Sequence, residues 1–187
     1  MDNQIQIEQA VNALQRGGVI AYPTESVFGL GCDPDKPDAV QRILDLKQRP
    51  KEKGLILIAT SFSQLEKYLL DLAPDIQQRV LASWPGPYTW LWPVKPDVSV
   101  LLRGQHQTLA VRVSAHPVVR ALCEAYGKAI VSTSANPADL PPAKNAAEVR
   151  TYFDDKLDFI LDAEVGSSAQ PTEIRDALTN KLIRPGS

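Results

Sequence analysis

Apolar residues recur along this chain with two periods, and the alternation between the periods predicts its elements. Over residues 4–16, Ile7, Ala10, Val11 and Leu14 fall on one helical face, and Gly17 sits where a C-terminal cap belongs. Val19 to Tyr22 then reads as a buried strand, entered through Gly17-Gly18 and ended by Pro23, which has no N–H to donate to a ladder. Cys32 to Lys36 is a turn, and Pro37 opens a helix whose Val40, Ile43 and Leu44 face inward. Leu55 to Ala59 is a second buried strand. Ser63 with Glu66 forms a capping box, which predicts a helix with Leu65, Tyr68, Leu69 and Leu72 on its apolar side. A further helix starts at Pro74 and stops before the rigid break Trp84-Pro85-Gly86-Pro87.

Past that break, Tyr88 to Val94 and Thr108 to Val113 are expected strands separated by a polar loop. Pro117 to Tyr126 is helical with Gly127 as its stop, and Ala129 to Ser132 is a short strand running into Thr133-Ser134-Ala135-Asn136. Asn145 with Glu148 opens one more helix. Phe159 to Leu161 and a hairpin over Glu173 to Arg184 supply the last strands. No repeat, low-complexity tract or linker interrupts this order. The expectation is a single domain over residues 1–187, of α/β or α+β class, with a mixed sheet.

Composition narrows this picture without changing it. A chain of 187 residues buries a substantial core unaided. Its 20 basic and 22 acidic side chains leave a net charge of −2, so no global charge marks a nucleic-acid binder. Cys32 and Cys123 lie far apart and, with only His106 and His116, make a poor zinc set; they read as buried, reduced thiols. The longest aliphatic run, Leu55 to Ala59, is too short to span a bilayer, and the N-terminus, with Asp2 and Glu8, has no signal-peptide core. A cytoplasmic protein is expected.

Four stretches carry candidate chemistry, each with two readings. Thr24, Glu25 and Ser26 offer hydroxyls and a carboxylate at the C-terminal end of the first strand, where α/β sheets bind ligands, with Gly29 and Gly31 just beyond. On these residues alone, the better reading is a strand leading to a helix capped by Thr24 or Ser26. Lys47-Gln-Arg-Pro-Lys-Glu-Lys53 holds four cations in seven residues, and Pro50 disfavours helix at Arg49. It is either a solvated charge run or a loop that neutralises a polyphosphate, though not a P-loop. If the loop reading holds, alanine at Lys47 or Arg49 should leave the melting temperature nearly unchanged. On a strand, Arg112 shares a face with Thr108 and Ala110, as a surface residue or as the fork that grips a carboxylate. Ser132-Thr-Ser-Ala-Asn136 is a turn, or a set of small donors to an anion. No Gly-x-Ser-x-Gly elbow accompanies the two histidines, so serine-nucleophile chemistry is not expected.

Taken together, the motifs Ala21-Tyr-Pro-Thr-Glu25, Gly29-Leu-Gly-Cys-Asp33, Leu46-Lys-Gln-Arg-Pro50, Lys53-Gly-Leu-Ile-Leu-Ile58, Trp84-Pro-Gly-Pro87, Leu109-Ala-Val-Arg-Val113, Ser132-Thr-Ser-Ala-Asn136 and Pro171-Thr-Glu-Ile-Arg-Asp176 occur in an order that resembles the TsaC/YrdC family of threonylcarbamoyl-AMP synthases over nearly the whole chain. The resemblance implies a twisted mixed α/β (α+β) sheet with flanking helices around a concave basic groove, like dihydroxybutanone phosphate synthase. It implies a nucleotidyltransferase that joins L-threonine, bicarbonate and ATP with release of pyrophosphate. The product serves the threonylcarbamoyl modification of the tRNA adenosine beside the anticodon.

By the same resemblance, Lys47 and Arg49 are the catalytic cations, and Lys47, Arg49, Thr108, Ser134, Asn136 and Arg184 address ATP. Thr24, Arg112, Ser132 and Thr172 hold threonine, with Arg112 on its carboxylate. Mg²⁺ is implied on the phosphates rather than in a protein cage, and no metal-ligating residue is assigned. Implied partners are other proteins of the threonylcarbamoylation pathway, with tRNA a further candidate whose direct binding the sequence does not decide. One departure from the family pattern is Ala138-Asp139, where a Ser-Gly pair often follows the Ser-Ala-Asn. The reading of a different class is a non-catalytic protein that binds tRNA or double-stranded RNA in the same groove. The slightly acidic charge and the lack of an aromatic-rich basic surface speak against it.

Overall fold

The computed structural model describes residues 3–167 and 172–186. The predicted helical periodicities become α1 (Asn3–Gln15), α2 (Pro37–Lys47), α3 (Pro74–Ala82), α5 (Pro117–Tyr126) and α6 (Ala146–Phe153), and a short helix not expected there, α4 (Val100–Arg103), lies within the polar loop between Val94 and Thr108. Three of these, α2, α3 and α5, begin on proline, whose missing N–H is not needed in a first turn. Asn145 caps α6, its side chain accepting from the Glu148 N–H at 2.8 Å. The strands are β1 (Ile20–Pro23), β2 (Phe28–Gly31), β3 (Ile56–Ala59), β4 (Tyr88–Pro93), β5 (Thr108–Val113), β6 (Ile130–Ser134), β7 (Phe159–Ile160), β8 (Glu173–Asp176) and β9 (Leu182–Arg184).

These strands form one mixed sheet in the order β7-β1-β2-β6-β3-β5-β4-β8-β9. β1 runs antiparallel to β2 and parallel to β7; at the centre β3 is parallel to β5 and antiparallel to β6. Register decides which residues share a face. Ile56 stands opposite both Ala110 and Ser132, and Ile58 opposite both Arg112 and Ile130, so all six point to one side. Leu57 stands opposite Val111 and Val131, which point to the other.

The second side is buried over its centre. Ala21, Phe28, Leu30, Leu57, Val111, Trp90 and Trp92 pack there against Val40, Ile43 and Leu44 of α2 and Val149 and Phe153 of α6. Phe28 and Leu30 are fully buried, each contributing roughly 1.5–3 kcal/mol of apolar burial. On the first side α1 and α5 cover only part of the sheet, packing Ile7, Leu14, Val119 and Leu122 over Ile20, Tyr22, Ile58 and Ile130. The rest of that face, toward Ser132, Ser134, Thr108 and Arg112, is left to line the cavities described below.

Two expected elements differ. Thr24 and Ser26 do not cap a helix: the chain turns straight back as β2, with Thr24 N–H and Oγ1 both donating to the Val27 carbonyl (3.0 and 2.7 Å). Gly31 in β2 is required by close approach, because a Cβ there would stand 2.7 Å from both the Tyr22 ring and the Val131 carbonyl. The Ser63–Glu66 segment is two short 3-10 turns (Phe62–Gln64 and Glu66–Tyr68) instead of a helix. The Ser63 hydroxyl meets that of Ser61 at 2.9 Å, and Leu69 leaves the turn extended to bridge Val94. Leu65, Tyr68 and Leu69 are nevertheless buried, so these apolar positions face the core without a helical period. Both cysteines are buried free thiols, and burial pushes Cys123 up to about 12. No helix among the described residues is long and apolar enough to cross a membrane.

Candidate active site

The uncovered part of the first face opens into three adjoining cavities of about 270, 270 and 280 Å³, all of which include Arg49 in their walls. The central one gathers Thr24 from the β1–β2 turn, Arg112 from β5, Ser132 and Ser134 from β6, Thr172 just before β8, and Arg184 from β9. A second is lined by Thr108, Arg184, Arg49 and Lys53 over an apolar floor that includes Leu91, Ile174 and Ile183. In the third, three cations, Lys47, Arg49 and Lys53, face Ser134, Asn136 and the loop carrying Ala138 and Asp139. Every residue expected to bind ligand therefore lies on one continuous cleft. Pro171, the first residue of the last motif, lies outside the described residues.

Lys47 stands at the C-terminal end of the Pro37 helix. It closes the last turn of α2, is only 6% exposed, and its ammonium donates to the Ser134 carbonyl (2.6 Å), the Asn136 carbonyl (2.9 Å) and Asn136 Oδ1 (3.1 Å). Burial, then the Arg49 cation, pushes its pKa down to about 8. Gln48 ends the helix in a left-handed conformation (φ 49°), which sends Arg49 out toward the Gly54 carbonyl, with Nε at 3.2 Å and Nη2 at 3.1 Å. The expectation that alanine at Lys47 spares stability is corrected by this burial. Removing the ammonium leaves carbonyl acceptors in the Ser134–Asn136 turn without their donor.

Arg112 is buried at 7% exposure, which overturns its reading as a surface residue. Its Nη2 stands 3.3 Å from Glu25 Oε2, while its Nε has no hydrogen-bond partner. The other oxygen of Glu25, Oε1, accepts from the Ser114 hydroxyl at 2.6 Å, and Ser114 Oγ in turn accepts from the His116 N–H at 3.0 Å. Burial lowers the His116 imidazole against the opposing pull of Glu25 and the Glu164 backbone. Burial and the neighbouring Arg112 cation lower Arg184, whose Nη2 donates to the Thr172 carbonyl at 3.0 Å. The Thr172 hydroxyl meets that of Thr89 at 3.1 Å.

The support behind Arg112 was missed from sequence. Ser114 lies 89 residues from Glu25, and only the carboxylate within Pro-Thr-Glu hinted that a counter-charge stood nearby. Asp139, the departure from the family pattern, adopts φ 66°. Glycine enters this left-handed region freely and aspartate tolerates it, so the exchange keeps the loop's path and adds a carboxylate to the cationic cavity.

These features define a class: an α/β protein whose cleft sets a guanidinium pocket beside a strongly cationic one, suited to two anionic small molecules. Comparison with known proteins makes the class specific. A family model described as Sua5, YciO and YrdC, telomere recombination, matches residues 12–186. The threonylcarbamoyl-AMP synthase of Photobacterium profundum is 53% identical over the full length of both chains. Sua5 from P. abyssi in complex with L-threonine superposes with a TM-score of 0.90 at 31% identity, covering all of this chain and 55% of that one. YciO from E. coli gives 0.84 at 28% identity, covering 99% and 90%. The chain belongs to the Sua5/YciO/YrdC family. It is an enzyme.

Proposed function

We propose that this protein is a nucleotidyltransferase that forms L-threonylcarbamoyl-AMP from L-threonine, bicarbonate and ATP, releasing pyrophosphate. The product supplies the threonylcarbamoyl group of the tRNA adenosine beside the anticodon. The observation that carries this reading is the abutment of two unlike anion pockets across Ser134 and Arg49. In one, Arg112 presents a planar fork suited to an amino-acid carboxylate, with Thr24, Ser132 and Thr172 around it. In the other, Lys47, Arg49 and Lys53 suit a polyphosphate, and Ser134 and Asn136 add small polar groups. Thr108 and Arg184, over the apolar floor, extend the nucleotide's site.

The chemistry asks mainly for placement. Threonine's amine condenses with bicarbonate to give a carbamate and water. A carbamate oxygen then attacks the α-phosphorus, the α–β P–O bond breaks, and pyrophosphate leaves with the bonding pair. Holding two anions in contact and offsetting the charge that builds on the phosphoryl oxygens accounts for a cleft of cations and hydroxyls. Mg²⁺ would supply further charge neutralisation, carried on the nucleotide's phosphates. The cationic cavity fits that role, since Asp139 is the one carboxylate among its described lining residues. In the cell the enzyme would act in the cytoplasm, passing its product to other proteins of the pathway, with tRNA the final acceptor.

The test is pyrophosphate release from ATP by the purified protein. Release should require both threonine and bicarbonate, and Arg112→Lys should weaken threonine binding by about one to two orders of magnitude while sparing ATP. Release that continues without threonine, or unchanged threonine affinity in Arg112→Lys, would overturn the reading.

A further inference from the structure

A buried guanidinium beside a buried carboxylate ordinarily closes into a two-pronged pair, and such a pair would leave Arg112 nothing to offer a ligand. Here the pair stays open. Glu25 Oε2 is 3.3 Å from Arg112 Nη2, yet neither Oε2 nor Arg112 Nε has a hydrogen-bond partner, and both atoms are buried. What holds Glu25 back is visible on its other side. The Ser114 hydroxyl donates to Oε1 at 2.6 Å, and Ser114 is itself fully buried and fixed by the His116 N–H at 3.0 Å.

We propose that Ser114 is a positioning residue that pins Glu25 so that it offsets the charge of Arg112 without occupying its hydrogen-bonding fork, which stays available for the carboxylate of an amino-acid substrate. Glu25 is needed because an unpaired buried cation is costly in the empty cleft, and the pin is needed because an unrestrained carboxylate would compete with the substrate. This inference rests on the reading of Arg112 as the carboxylate-binding group.

The experiment combines binding and spectroscopy on Ser114→Ala, Glu25→Gln and the double variant. Ser114→Ala lets Glu25 rotate onto Arg112, so threonine affinity should fall about tenfold, with ATP affinity unchanged. Glu25→Gln removes the competing charge, so in the double variant most of that loss should be recovered. A merely structural serine would instead give losses that add and that extend to ATP. Arginine-selective ¹⁵N spectra give a readout that needs no substrate: the Arg112 Nε–H resonance should shift in Ser114→Ala toward a hydrogen-bonded position and return in the double variant. An unmoved resonance, or a loss of threonine affinity that the second substitution does not relieve, overturns the pin. A wild-type protein that binds no threonine, with the resonance shifting as expected, sinks the substrate assignment and leaves the pin standing.

Discussion

At the scale of single residues, Lys47 bears on stability and, under the proposed function, on nucleotide binding. Its ammonium has three acceptors within 3.1 Å, and its folded pKa of about 8 lies below the ordinary value of 10.5. Because the folded state holds this proton more weakly than the unfolded chain does, stability should rise as pH climbs from about 8 toward 10.5. A polyphosphate in the adjoining cavity favours the charged form and raises the pKa. Nucleotide binding slightly above pH 8 should therefore take up a proton, and affinity should decline as pH rises further. Calorimetry in two buffers of different ionisation enthalpy reads this directly: the binding heat should depend on the buffer in the wild type and not in Lys47→Met. Heat independent of buffer in the wild type would remove Lys47 from the phosphate's surroundings. Lys47→Ala should also lower the melting temperature, by about 1–3 kcal/mol of stability.

At the scale of elements, the cationic loop is held by backbone contacts as much as by side chains. Gly104, at the end of α4, has φ 63°, and a Cβ there would collide with the Glu52 carbonyl of the turn Lys51–Lys53. Gly104→Ala should cost more than about 1 kcal/mol and displace the turn behind Arg49. Thermal melts and nucleotide titration should both register it; an unchanged titration would show that the loop is set independently of α4. Elements with a strong local signature, such as the Pro37 and Pro117 helices and the Asn145 cap, were legible in sequence. The strand β2 was not, because Phe28-Gly-Leu-Gly31 is four residues, half of them glycine and all of them buried, so no polar alternation marks it. The Ser63 segment misled through a correct capping-box pattern whose hydroxyl found another partner. The ten residues that the family resemblance implies as ligand-binding all line the cleft. The Glu25–Ser114 support behind Arg112 was not, since its members meet only when the sheet is assembled.

At the scale of the whole molecule, one charged network ties the layers on the two sides of the sheet. Asp33 accepts from Lys128 (2.8 Å) and Tyr126 (2.5 Å) at the end of α5, while Asp35 pairs with Lys128 and Lys67 and accepts from Tyr68 at 2.8 Å. Burial alone would raise Asp35, and its hydrogen bonds from Lys128, Lys67 and Tyr68 overcome this, holding it at about 2. A depressed carboxylate stabilises the fold above its unfolded pKa of about 3.8, and that contribution is lost as pH falls toward 2. The melting temperature should drop across this window, and Asp35→Asn should flatten the drop. An identical acid profile in the variant would show that the network does not govern acid unfolding.

The half-covered sheet face also gives the cleft a reading frame. Thr108, Ala110 and Arg112 on β5, and Ser132 and Ser134 on β6, are all even-numbered, because a strand shows alternate residues to each side. One residue added early in either strand would change that parity. Arg112 would turn into the layer that Val111 now fills, or Ser132 into that of Val131, and an aliphatic side chain would enter the cleft. Two added residues would restore parity while sliding the set along by one repeat, about 7 Å. Length can therefore vary without changing the chemistry only where the chain is not counting by twos.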